Sequence, residues 1–487
     1  MPIKSLVYLI IFLPLISSFL CQIFGRKQLP FIIATSCFTA IIAIIFSHLN
    51  LVFLGEKISN DFDLKPLSLG LEFSINQSST LFLIAIILLK LLTLIYYKDD
   101  IKNFLTQKNS KVFYSVYLLQ SFAIIGLITT NNLFNLFLFL EIYSCSFFAI
   151  FSISREKKIT ESSFRYFCLN SAASLLILFS FMMIYLIFNN FNLEEIKQIL
   201  IFDKDVRFFT ILASLVAIGL AIKFFPIWLY FENLKNNNLL TNFFAIDSLF
   251  VKANIGIFFA LKFSYLFFAN QDVATFIICG SAFLIFYSLF RLHQANHLKL
   301  SAIYLCIINL CLILICLAIK KPSSSQAIFF YWLNFNLINF AIFIFSTFLK
   351  RQFGSSSFNK ISALAPYNQA TLLPLRFLII FVISSPFTFL FCGNFYLINE
   401  TLNLANDLEK SLIIAVFVIL NFSLIAFFLR IANLIFMPEM PLNKDLATPK
   451  IEQNFWHILL FWLIVILTYS SIFCLSFFNH LSIQFTI

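Results

Sequence analysis

Glu141, Lys223 and Lys252 lie deep in three apolar runs, NLFNLFLFLEIYSCSFFAIF, VRFFTILASLVAIGLAIKFFPIWLY and NFFAIDSLFVKANIGIFFALKF. An ionisable side chain at the centre of a membrane span costs about 2.5–3.5 kcal/mol or more, so it is retained for a purpose. An acid and two bases in neighbouring spans are what a proton path needs. Nothing four residues from Glu141 can neutralise it, so its partner must come from another helix. Lys223 precedes Pro226 by three residues, and the proline's missing N–H leaves the Ile222 carbonyl without a helical donor. A free acceptor and room for water then stand beside the lysine, as in the broken mid-membrane helices of transporters. A neighbouring charge would decide whether such a lysine keeps its proton. The alternative is a lysine snorkelling to the interface, yet the apolar run continues to Phe231. Asp247 precedes Lys252 by five residues and falls on another face of a regular helix. The two can meet only if the helix is broken between them; otherwise Asp247 sits at the helix entrance. Lys299, opening LKLSAIYLCIINL, is either a topology signal or a further member of the path. Lys262, Arg376 and Arg430 lie near span ends and read as interface anchors.

These residues need membrane helices to hold them. The chain has 487 residues, 61% hydrophobic and 11% charged, with mean hydropathy +0.95. A soluble domain would be about a quarter charged. Apolar runs long enough to span recur from end to end, about fourteen in all. The expected fold is an all-α polytopic membrane protein. The spans at 207–230, 241–267 and 371–398 contain Pro or charge and are expected to be broken. The first span, SLVYLIIFLPLISSFLCQIF, reads as a retained helix rather than a signal peptide. The loops GRKQ, KDDIKNFLTQKNSK, SREKK, RLHQANHLK and KRQFGSSSFNK share one side, which the positive-inside rule makes cytoplasmic. Both termini are then outside, and the membrane is expected to be a bacterial inner membrane.

Several function classes fall away. The net charge of +11 belongs to loop topology and not to a nucleic-acid footprint. Nine glycines are too few and too dispersed for a nucleotide-binding loop. The ten cysteines form no C-x-x-C pattern, so neither an iron–sulfur nor a zinc frame is indicated. His48, His293, His297, His457 and His480 lie at span ends or in loops, which argues against haem pairs. No cofactor or metal is expected, and no redox or hydrolytic site is legible in the chain itself.

The stretch NNLFNLFLFLEIYSCSFFAIF, the segment SSFRYFCLNSAASLLIL, and then KFFPIWLYF and VKANIGIFFALKF together carry a resemblance. They resemble the antiporter-like, proton-translocating membrane subunits of respiratory complex I and of Mrp-type cation/proton antiporters. NLFNLFLFLE followed by FRYFCLN is most like the Mrp-type D subunit. The resemblance implies two inverted five-helix repeats, each with a broken helix. They would lie at 111–270 and 271–440, after N-terminal helices in 1–110 and before a last helix in 441–487. It also implies that Glu141 and Lys223 form an acid–lysine pair in a first half-channel and that Lys252 carries protons onward. Lys299 loosely matches a basic position opening the tenth span.

Departures from the family pattern lie in the second half. SSPFTFLFCGNFYLINE places Asn394 where the family has a lysine or glutamate, and an amide exchanges no proton near neutrality. Glu400 is six residues on and points elsewhere unless the helix breaks at Gly393. By resemblance the chain is a proton-translocating subunit of a multi-subunit Na+(K+)/proton antiporter, with other membrane subunits, the lipid bilayer and these ions as partners. The alternatives are a proton-pumping subunit of a complex I-like NADH:quinone oxidoreductase or membrane hydrogenase, and a divergent non-conducting structural paralogue.

Overall fold

The structure is a computed structural model that describes residues 4–24, 28–53, 58–62, 71–105, 107–153, 157–202, 206–224, 242–243, 246–264, 271–319, 321–354, 356–358, 388–404 and 407–436. Pro226 and the expected span at 455–478 lie outside them, as does 371–387 of the twelfth span.

Long runs of Leu, Ile and Phe can satisfy their backbone in lipid only by bonding it within the segment, so they become helices. Nine described helices are long and apolar enough to cross a membrane. The protein is a polytopic helical membrane protein, and every expected span but the last has a described helix at its place.

The described residues form two compact units. The N-terminal unit begins with α1 (Lys4–Ile23) and α2 (Leu29–Phe53). An antiparallel hairpin follows, β1 (Ile58–Phe62) on β2 (Leu71–Ile75), where an all-α fold has only a loop between spans. Then come α3 (Gln77–Tyr96), the short α4 (Lys98–Phe104), α5 (Gln107–Thr129), α6 (Leu133–Ser152) and α7 (Lys157–Phe188). After α8 (Leu193–Phe202) and α9 (Val206–Phe224), a π-helical turn at Asp247–Val251 runs into α10 (Lys252–Lys262). The C-terminal unit holds α11 (Gln271–Gln294), α12 (Leu298–Ile319) and α13 (Pro322–Asn334). A π-helical turn at Phe335–Asn339 joins α13 to α14 (Phe340–Phe353), and α15 (Phe389–Leu402) and α16 (Asp407–Phe436) follow.

Within each unit polar side chains turn inward while large apolar ones, such as Leu186, Phe276 and Phe283, stand exposed. That is the arrangement expected of a protein solvated by lipid. Helix α5 packs against α1 and α6, and Gly126 faces the Phe139 ring of α6. A Cβ at Gly126 would overlap the ring of Phe139. Gly126→Ala should therefore cost about 1–3 kcal/mol through overpacking. Thermal unfolding in detergent reads this, and an unchanged midpoint would show that the ring moves aside freely.

A main-chain pin occurs twice. In the N-terminal unit Leu133 N–H donates to the Phe191 carbonyl and Leu193 N–H to the Asn131 carbonyl, each at 3.0 Å. In the C-terminal unit Leu298 N–H donates to the Ser356 carbonyl at 2.9 Å and Phe358 N–H to the Asn296 carbonyl at 3.1 Å. Each of the four later residues lies 165 positions after its counterpart, since 298 − 133, 356 − 191, 358 − 193 and 296 − 131 agree. Each pin ties the start of one helix (α6 or α12) to the chain beyond the next long helical stretch (α7, or α13 with α14). The same spacing thus recurs in both units.

Candidate functional site: a buried chain of charges

Helix α6 is set in place by Asn132, whose side chain accepts from the Phe134 N–H at 2.9 Å. Two turns in, Glu141 and Ser144 stand three residues apart and so share a face. Lys223, in the last described turn of α9, reaches both. Its Nζ donates to Glu141 Oε1 at 3.0 Å and to Ser144 Oγ at 3.2 Å. The Lys223 side chain is 3% exposed and that of Glu141 36%, so the pair has a dry end and an open end.

Tyr166 of α7 links this pair to the next charge. Its hydroxyl donates to the Lys223 carbonyl at 3.1 Å and accepts from Lys252 Nζ at 2.7 Å. Asn170 Oδ1, at 3.2 Å, is a second acceptor on the same helix. Lys252 opens α10 and is wholly buried. Its ammonium lies 3.3 Å from the Phe147 ring centre, 4.0 Å from that of Tyr166 and 5.7 Å from that of Tyr143. Ring faces stabilise a desolvated cation without supplying a counter-charge. A carboxylate and an ammonium thus stand beside a phenol and a second ammonium, the phenol reaching the first lysine at its main-chain carbonyl and the second at its Nζ.

Asp247, Glu141, Lys223 and Lys252 all fall in the N-terminal unit. Asp247 is buried and its partner is Lys90, a residue the sequence analysis does not single out. Lys90 lies in the middle of LFLIAIILLKLLTLIYY and is 1% exposed. The rule that singles out Lys223 applies to it equally. Lys262 is half-buried and gives its ammonium to the Thr130 carbonyl at the end of α5, so it ties helices together where interface anchoring was expected.

The C-terminal unit departs from expectation. Gly393 makes no break: α15 runs unbroken through it, and its N-terminus is at Thr388, whose hydroxyl accepts from the Phe391 N–H at 3.2 Å. Gly393 serves close packing, because a Cβ there would come within 2.9 Å of Tyr331 Cε1. Asn394 is buried and accepts from the Tyr331 hydroxyl at 2.7 Å. Tyr331 stands 165 positions after Tyr166, the offset of the two pins. The phenol of the second unit thus bonds an amide oxygen, while that of the first also accepts from a lysine, Lys252. Glu400 is buried, with Oε2 3.9 Å from Lys321 Nζ, six residues beyond Asn394 on the same helix. Lys299 is half-buried, in electrostatic range of Lys350.

A helical bundle with a buried acid–lysine pair and a second buried lysine defines a polytopic membrane protein that keeps ionisable groups inside its spans. The chain belongs to the family "NADH:quinone oxidoreductase/Mrp antiporter, TM", whose model matches residues 130–423, more than half its length. It is 25% identical over 302 residues to "NADH-quinone oxidoreductase subunit N" of Buchnera aphidicola subsp. Schizaphis graminum, covering 60% of this chain and 59% of that protein. The subunit N of Desulforudis audaxviator is 26% identical over 128 residues, 26% of this chain and 25% of that one. The chain thus spans less than two-thirds of the length of either relative. Its fold resembles chains in solved structures of three complexes. The membrane-bound sulfane sulfur reductase, an archaeal respiratory complex, gives TM-score 0.80 at 18% identity, over 98% of this chain and 96% of that one. The Mrp complex of Dietzia sp. DQ12-45-1b gives TM-score 0.80 at 16% identity, over 100% and 97%. Respiratory complex I of Thermus thermophilus gives TM-score 0.75 at 16% identity, over 99% of each chain.

Proposed function

We propose that this chain moves protons across a bacterial inner membrane as one subunit of a larger membrane assembly. The observation that carries the reading is the buried row of Glu141, Lys223, Tyr166 and Lys252, in which Lys223 Nζ pairs with Glu141 and the Tyr166 hydroxyl meets both the Lys223 main-chain carbonyl and Lys252 Nζ. Closing of the Glu141–Lys223 contact at 3.0 Å favours the charged lysine, and its opening favours proton release. The released proton is handed inward past Tyr166 toward Lys252, whose aromatic surroundings hold a cation without fixing it to a carboxylate. The neutral Tyr331–Asn394 pair supports a path whose charged carriers sit in the N-terminal unit.

The sequence relatives, both named as subunit N of an NADH-quinone oxidoreductase, support a place in the energy-coupling arm of an oxidoreductase, with electron transfer in other subunits. A second reading, a subunit of a Na+ or K+/proton antiporter, is supported by the likeness to the Mrp complex and by the D-subunit-like pattern at Glu141. Mild-detergent extraction of the tagged chain, with mass spectrometry of what co-purifies, separates them. Peripheral iron–sulfur subunits are expected under the first reading. Small hydrophobic subunits alone would mean the antiporter. Everted vesicles that show no proton flux would remove both.

A further inference from the structure

We infer that Lys90, Gln120 and Asp247 form a clamp on the π-helical turn at Asp247–Val251, and that this clamp sets where Lys252 meets Tyr166. Asp247 opens the turn and Lys252 follows it, the Lys252 N–H donating to the Asp247 carbonyl. That bond spans five residues, one more than an α-helix takes into a turn. Were the turn to relax into an α-helix, the same N–H would bond one residue later, at the Ser248 carbonyl. The chain beyond would then turn by about 100° and slide by about 1.5 Å against the chain before it. Either Asp247 or Lys252 would have to leave its place. Lys252 now stands with Nζ 2.7 Å from the Tyr166 hydroxyl and 3.3 Å from the Phe147 ring centre.

Contacts at both ends hold the extra residue in. At the head, Gln120 Nε2 on α5 donates to Asp247 Oδ2 at 2.9 Å, and the same amide accepts from Lys90 Nζ on α3 at 2.7 Å. Lys90 is itself fixed by Ser121 Oγ at 3.1 Å and by the Tyr117 ring, whose centre is 3.9 Å away. Lys90 Nζ and Asp247 Oδ1 are 4.0 Å apart, beyond hydrogen-bond reach, so Gln120 is the bridge between the two charges. At the tail, Lys262 gives its ammonium to the Thr130 carbonyl, at the far end of the same α5. Between them Asn254 Nδ2 donates to the Phe250 carbonyl at 2.8 Å, inside the turn. Helix α5 thus grips this element at Gln120 and again beyond Thr129, and the surplus residue between the two grips is taken up as the π-helical turn. Lys90, Gln120 and Asp247 are all buried, where a lost hydrogen bond leaves its partner unsatisfied. They are positioning residues, acting on Lys252 through the main chain. The consequence for transport rests on the function proposed above; the clamp itself does not.

Infrared spectroscopy of the purified full-length protein with isotope-labelled tyrosine reads the clamp at Tyr166, whose phenol C–O band depends on the bond it accepts from Lys252. Tyr166→Phe assigns the band, and Lys252→Met shows where it lies without that bond. Asp247→Leu is expected to move the band to its Lys252→Met position. Gln120→Met, which keeps the side-chain volume, is expected to do the same and serves where Asp247→Leu does not fold. Asp247→Asn keeps an oxygen for Gln120 Nε2 and is expected to hold the band in place. Gly126→Ala, which disturbs α5 away from the clamp, is expected to leave it unmoved. The proposal is overturned if the band stays put in Gln120→Met, if Gly126→Ala moves it as far, or if Asp247→Asn moves it as far as Asp247→Leu. In everted vesicles Gln120→Met is expected to lower proton flux by about tenfold or more, and undiminished flux in that variant would also overturn the proposal. Wild-type vesicles that move no protons while the band shifts hold would remove the transport reading and leave the clamp standing.

Discussion

Lys223→Ala and Glu141→Gln should each reduce proton flux by at least about a hundredfold, the order expected when a positioned proton-transfer group is removed. Neither change is expected to unfold the protein. In Glu141→Gln the amide oxygen and Ser144 Oγ remain acceptors for Lys223, and in Lys223→Ala the carboxylate is left at the open end of the pair. The two variants remove the same exchange from opposite ends. Glu141→Gln leaves the lysine without the charge that favours its protonated form, and Lys223→Ala leaves the Tyr166–Lys252 link with no source. Flux measured by a pH-sensitive dye in everted vesicles, beside a thermal melt of the purified variants, separates function from folding. Normal flux in either variant would end the proposed path, whatever the melt shows.

The largest loss of stability is expected at Lys90. Its ammonium is 1% exposed, and truncation to Met strands Asp247 as an uncompensated buried charge. Breaking a buried pair from one side costs about 3–5 kcal/mol. Removing both charges together, by Lys90→Met with Asp247→Asn, should cost distinctly less, because a neutral amide can keep the Gln120 contact. The ordering is the informative result: each single variant below the double in melting temperature. Single variants that melt with the wild type would show that Gln120, Ser121 and the Tyr117 ring suffice for Lys90 without its carboxylate.

Charges inside apolar runs make much of the site legible in the sequence alone. Glu141, Lys223 and Lys252 need only the cost of burying an ion to be singled out. Lys90 obeys the same rule, so its absence from that set has no physical cause. The π-helical turn at Asp247–Val251 is different in kind. Nothing in AIDSLFVKAN announces one extra residue per turn, because in a chain this apolar the hydrophobic period that would betray a register slip is absent. Gly393 misleads in the opposite direction. A glycine beside an expected break reads as a hinge, yet here it makes room for the Tyr331 ring inside a regular helix. The hairpin of β1 and β2 is hidden for a third reason, since its polar strand ISNDF has the composition of a loop and its order comes from pairing with LEFSI.

The paired pins bear on how such a protein can change over generations. Both are made of peptide groups alone, Leu133 with Phe191 and Asn131 with Leu193 in one half, Leu298 with Ser356 and Asn296 with Phe358 in the other. A peptide bond is blind to mutation unless proline arrives. The helix ends in each half are therefore fixed by something inheritance can hardly touch, while the side chains between them are free to drift. That separation lets one half hold Lys223 and its acid while the other holds the neutral pair of Tyr331 and Asn394.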